Sequence, residues 1–134
     1  MTDTAPVVFR LERRAHPDLV RACDSLFEAV ELGELHCVVG VVSVAELFVH
    51  PMRRGPAVVA MADAFLQQRG VTVAEAREGI ARRAAGLLAR GPVRRIADAF
   101  VAATALDLGL PLVTADRRLA RSGVVEAVLV QDFG

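Results

Sequence analysis

The sequence predicts a three-layer α/β/α sandwich around a short, mostly parallel sheet, and three observations lead there. Stretches of strand length, apolar throughout, alternate with segments of helical periodicity along the whole chain. The run HCVVGVV (residues 36–42) is continuously apolar, the pattern of a strand covered on both faces. The stretch from Ile96 to Leu108 carries Thr104 as its only polar side chain between Ala99 and Leu106, so it has no face suited to water. A helix of that kind belongs inside a fold, packed on both sides.

Taken in order, the N-terminus MTDTAPVVFRLERR leaves little room for a strand before the first helix. Pro6 suits the first helical position with Thr4 or Asp3 as cap, and Val7, Val8 and Leu11 supply an apolar stripe. His16-Pro17 is a break. A second helix is expected from Pro17 to Glu31, ended by Gly33. After the strand at 36–42, Ser43 to Glu46 reads as a capping box that opens a short helix through Phe48, followed by a basic loop from Pro51 to Gly55. Pro56 to Arg69 is an apolar helix stopped by Gly70, Val71 to Val73 a short strand, and Ala74 to Ala89 an amphipathic helix with Arg77, Arg82 and Arg83 outward. The apolar helix ends at Gly109, and Leu112-Val113-Thr114 forms a buried strand that delivers Asp116. A short helix (RRLARSG) and a closing strand from Ala127 to Val130 complete the chain. Residues 1–134 are expected to form a single domain.

Composition excludes several chemistries. Sixteen basic and sixteen acidic residues cancel, so net charge argues neither for nor against nucleic acid. Every basic residue is arginine, and the absence of lysine rules out a Walker loop or a Schiff-base mechanism. Cys23 and Cys37 lack metal-ligand spacing and read as reduced core residues. No leader or membrane-length apolar run is present, so a cytoplasmic protein with no membrane partner is expected. His16, His36 and His50 do not suggest a converging pair of imidazoles, and there is no G-x-S-x-G elbow.

Four acids fall where such a fold binds ligands. Asp3 would follow a first strand, Glu46 would sit in the first turn after the 36–42 strand, Asp98 in the first turn of the apolar helix, and Asp116 at the end of the next strand. Right-handed crossovers would bring all four to the carboxyl edge of the sheet. Each has a purely structural alternative: a cap for Asp3 and Asp116, a capping-box partner for Glu46, a dipole-compensating acid for Asp98. Taken together they suggest a charge cluster. Two carboxylates about 4 Å apart repel by roughly 4 kcal/mol at an effective dielectric near 20, so such a cluster must protonate or recruit a cation. All-oxygen ligands suit Mg²⁺ or Mn²⁺, ions that hold phosphate oxygens and activate water for attack on a phosphodiester.

The order DTAPVVFRLE, SVAEL, DAFVAATAL, VTADRRL resembles the PIN-domain ribonucleases, and among them the VapC-type toxins of toxin–antitoxin pairs. The resemblance implies that Asp3, Glu46, Asp98 and Asp116 bind Mg²⁺ or Mn²⁺ for endoribonuclease chemistry. Thr4, Ser43 and Thr114 would be hydroxyls beside them. It further implies an RNA substrate, a homodimer and a cognate antitoxin that blocks the acidic pocket. Only Met1 and Thr2 precede Asp3, where relatives carry several apolar residues, and Ala115 stands where a polar residue is common. The arginine pairs Arg13/Arg14, Arg53/Arg54, Arg94/Arg95 and Arg117/Arg118 would give an acidic pocket the basic margin that an RNA backbone needs, or be ordinary solvated charge. The alternative function is a catalytically impaired module of the same fold that binds RNA or a protein partner.

Overall fold

A computed structural model describes residues 5–9, 25, 27–91, 93–114 and 116–129. Five strands, β1 (Ala5–Phe9), β2 (Leu35–Gly40), β3 (Val71–Ala74), β4 (Leu112–Thr114) and β5 (Ala127–Leu129), lie in the order β3-β2-β1-β4-β5. All four pairings are parallel, with Val8 beside both Val38 and Leu112. The helices are α1 (residues 27–31), α2 (Val41–Arg54), α3 (Pro56–Leu66), α4 (Glu78–Arg90), α5 (Ile96–Leu108) and α6 (Arg117–Arg121).

Alternation along the strands separates two cores. Val8, Val38 and Leu112 face Ile80 and Ala84 of α4 and the alanines of α5. Their neighbours Cys37, Val39 and Val113 face the other way, with Val30 of α1 and Phe65 and Leu66 of α3. An edge-to-face pair of Phe27 and Phe65, centroids 5.2 Å apart, closes that second layer. Helices therefore cover both faces, and the three-layer α/β/α architecture holds. Among the described residues no helix is long and apolar enough to cross a membrane.

Helix α5 behaves as its composition requires. Seven of its residues are buried, five of them Ala or Val on faces that touch β1, β2, β4, α2 and α4. Small side chains let the helix axis approach the sheet closely. Its end is a left-handed glycine cap: Gly109 has φ 65°, and Leu110 N–H donates to Ala105 O at 3.0 Å. Gly33 (φ 75°) likewise follows α1.

Three expectations are corrected. Ala5–Phe9 is the central strand rather than the first turns of a helix, because its backbone pairs in parallel with β2 on one side and β4 on the other. Helix α2 begins at Val41, directly after Gly40, with no side-chain cap, so Ser43 and Glu46 form no capping box at its start. An apolar run does not by itself distinguish the end of a buried strand from the start of a buried helix, and Val41-Val42 fall on the helical side. The basic loop is also helical: Pro51 is buried within α2, which continues through Arg53 and Arg54 to Gly55 at φ 116°. Burial there offsets the hydrogen bond that proline cannot donate. Smaller shifts shorten α3 to Leu66 and start α4 at Glu78.

Gly70 marks the closest backbone approach. An added Cβ would lie 2.6 Å from Val30 Cγ1 and 3.0 Å from Val30 O. Gly70→Ala is expected to destabilise the protein by about 1–3 kcal/mol in urea unfolding. Gly86→Ala, where an added Cβ meets nothing within 4 Å inside α4, is expected to stabilise by about 0.5–1 kcal/mol. Equal effects at the two positions would contradict the packing at Gly70.

Cys37 tests the core in a second way. Burial pushes its thiol up to about 12 from 9.0. The unfolded chain therefore loses this proton first, and the native state loses stability as pH rises from 9.0 towards 12. Cys37→Ala is expected to flatten that part of the stability–pH curve; an unchanged slope would contradict it.

Candidate active site

The sheet winds outward in two directions, β1 to β2 to β3 on one side and β4 to β5 on the other. The reversal lies between β1 and β4. In open parallel sheets, ligands bind beyond the carboxyl ends of the strands at such a point. Two of the four predicted acids are built there.

Asp116 stands two positions beyond the end of β4. Its N–H donates to Thr114 Oγ1 at 3.1 Å, and Thr114 is fully buried. Its Oδ1 then accepts from the N–H groups of Arg118 (2.9 Å) and Leu119 (3.2 Å), capping α6. One carboxylate oxygen thus fixes the turn, and Oδ2 has no such duty. Asp98 is the third residue of α5 and only 8% exposed, in a first turn whose backbone N–H groups favour negative charge.

Helix start and strand end meet as the antiparallel βα geometry requires. Asp98 and Asp116 line one cleft of about 370 Å³, together with Arg94, Arg95 and Arg118 and the buried Val93 and Leu119. Among the described residues no imidazole or thiol lines it. The two carboxylates are oxygen ligands of the kind Mg²⁺ takes, with waters and substrate phosphates completing its shell, while the three guanidiniums beside them oppose a cation and favour an anion.

The other predicted residues are placed differently. Glu46 is half-buried in the second turn of α2 and is not among the residues lining the cleft. Among the described residues, no three His, Cys, Asp or Glu side chains form a group that could hold a metal. Asp3 and Thr4 lie outside the described residues. Asp3 precedes β1 in the chain, which corrects the expectation that it follows the first strand. Ser43 is fully buried in the first turn of α2, and its Oγ has no hydrogen-bond partner among the described residues. Of the arginine pairs, Arg94/Arg95 and Arg118 reach the cleft lining, whereas Arg53/Arg54 end α2 elsewhere on the surface. Arg13, Arg14, His16, Cys23 and Ala115 lie outside the described residues.

The fold is a doubly wound α/β/α domain with two aspartates and three arginines lining a cleft at its switch point, and sequence comparison makes the class specific. The model of the PIN domain matches residues 7–124, so the chain belongs to the PIN domain family. Its fold is shared with VapBC2 from Rickettsia felis, solved bound to a DNA fragment from their promoter. There the TM-score is 0.68 at 15% identity, over 92% of this chain and 98% of that one. FitAcB from Neisseria gonorrhoeae gives 0.66 at 18% identity, over 95% and 99%. A toxin–antitoxin complex from Klebsiella pneumoniae gives 0.65 at 15% identity, over 92% and 97%. No curated protein matches the sequence significantly.

Replacing Asp116 separates its two duties. Asp116→Ala is expected to lower stability by about 1 kcal/mol through loss of the α6 cap, and Asp116→Asn by only a few tenths. Thermal or urea unfolding of both variants reads this directly. An Asn variant as unstable as the Ala variant would contradict the capping role.

Proposed function

We propose that this PIN domain is a metal-dependent endoribonuclease, acting as the toxin of a toxin–antitoxin pair in the cytoplasm. The observation that carries the reading is the shared cleft of Asp98 and Asp116 at the carboxyl edge of the sheet, with arginines in the same lining. In this reading Asp98 and Asp116 hold Mg²⁺ or Mn²⁺. Glu46 enters through the resemblance of its motif rather than through the cleft; Asp3, which precedes both β1 and the residues matched to the PIN family, is left out of the site. The bound cation would supply Lewis acidity and an activated water for hydrolysis of an RNA phosphodiester.

The chain's own groups do the rest. Asp98, held in a packed helix, places its carboxyl group at a fixed point of the cleft. Asp116 is oriented through its Oδ1 bonds to the α6 backbone, which leaves Oδ2 for a ligand. The arginines offset repulsion between a carboxylate-lined cleft and a polyanion. A cognate antitoxin and a homodimer belong to the same proposal; the solved neighbour from Klebsiella pneumoniae is a toxin–antitoxin complex.

A second reading has one observation in its favour: among the described residues no third ligand joins the two aspartates. It is an impaired PIN module that binds RNA or a protein partner without cutting.

Metal and cleavage decide between them. With Mn²⁺ at about 100 times its dissociation constant, a nuclease site is expected to gain about 2.7 kcal/mol of stability, and Asp98→Asn to remove that gain. The wild type is expected to cut RNA to 5′-phosphate and 3′-hydroxyl ends, with Asp98→Asn reducing the rate at least about 100-fold. Expression of the wild type is expected to arrest growth, and Asp98→Asn to relieve the arrest. Products ending in 2′,3′-cyclic phosphate would overturn the metal-assisted mechanism. Unfolding indifferent to divalent ions, with no cleavage, would favour the impaired module.

A further inference from the structure

Among the described residues that line it, the cleft holds more positive than negative charge. Arg94 and Arg95 stand on the segment entering α5, and Arg118 lies in the first turn of α6, so two separate parts of the chain bring guanidiniums to the same space. Among the described lining residues, three guanidiniums stand against two carboxylates. All three arginines are exposed. Among the described residues none of them pairs with a carboxylate within 4.0 Å; the surface pair that does form is Arg82 with Glu78, on α4.

Unpaired guanidiniums beside carboxylates they do not neutralise are arranged for an incoming anion. The planar fork of arginine matches phosphate oxygens in bidentate fashion, and charge-assisted bonds of this kind are about twice as strong as neutral ones. A cleft of about 370 Å³ is at the small end of ligand sites, suited to one nucleotide rather than a helical segment.

We propose that Arg94, Arg95 and Arg118 form a phosphate-holding set that seats a nucleotide phosphate in the Asp98–Asp116 cleft without a divalent cation. The inference rests on the reading of this cleft as a site for a nucleic-acid strand, and it separates two tasks within it. The arginines bind and position the phosphate, while the aspartates oppose phosphate when no cation is present. Binding and hydrolysis therefore have different requirements. Removing an acid strengthens metal-free binding but weakens catalysis.

The test is calorimetric titration of the full chain with uridine 5′-monophosphate in EDTA, with uridine and inorganic phosphate as parallel arms. One saturable site is expected for the monophosphate, competition by inorganic phosphate, and none by uridine. Arg95→Ala and Arg118→Ala are each expected to weaken binding roughly tenfold, and Arg118→Lys by less, because charge survives but the fork is lost. Asp98→Asn is expected to tighten it. Circular dichroism melting of each variant checks that these exposed positions leave the fold intact. Absence of binding in EDTA, or equal affinity of the wild type and an Arg95→Ala/Arg118→Ala double variant, overturns the proposal. Uridine binding as tightly as its monophosphate also overturns it. Arginine-dependent binding in a protein that never cuts RNA would overturn the nuclease reading and leave this one standing. Cleavage with arginine-independent binding would do the reverse.

Discussion

Everything at the site depends on the packing of α5 against the sheet. A helix made largely of Ala and Val, buried on the faces that touch the strands and α4, cannot shift without opening the larger core. Its close approach fixes where its first turn emerges, and with it the position of Asp98. A strand antiparallel to it ends at the same edge, so Asp116, two positions beyond the end of β4, comes to the same cleft. The acidic pair is thus a consequence of core packing, not of a flexible loop finding a geometry.

That arrangement also shows how one residue serves stability and chemistry together. Asp116 caps α6 with one oxygen and faces a shared cleft with its carboxylate, while Thr114, buried beneath, holds the turn through its hydroxyl. The reading of Asp116 as a cap and the reading of it as a ligand are compatible. Asp98 differs: it is nearly buried in an apolar helix, where a charged group is expensive unless the site has a use for it. The arginines around the pair turn an otherwise acidic lining into a mixed one.

Much of this was legible in the sequence because the relevant signals are local and strong. The all-apolar run of α5, the Gly109 stop and the short LVT strand leave few alternatives, and the βα geometry then places Asp98 near Asp116 without further information. The start of the chain was harder. PVVF satisfies both a helix opened by Pro6 and a buried strand, and only the demand for a partner between β2 and β4 decides it. The Ser43–Glu46 spacing matches a capping box, yet Val41 and Val42 extend the helix back to Gly40, a boundary that tertiary burial sets rather than local propensity. Pro51 misled for the same reason: its cost inside a helix is real, but a buried position on α2 outweighs it. Which arginines reach the cleft was likewise beyond the sequence, since all four pairs look alike until α5 and α6 converge.

The central claim is that Asp98 and Asp116 together receive a divalent cation. Anomalous diffraction from crystals soaked in Mn²⁺ tests it most directly. The account predicts a manganese peak within coordinating distance of both carboxylates, absent in Asp98→Asn crystals of the same form. A peak bound elsewhere, or none in a fully open cleft, would contradict it.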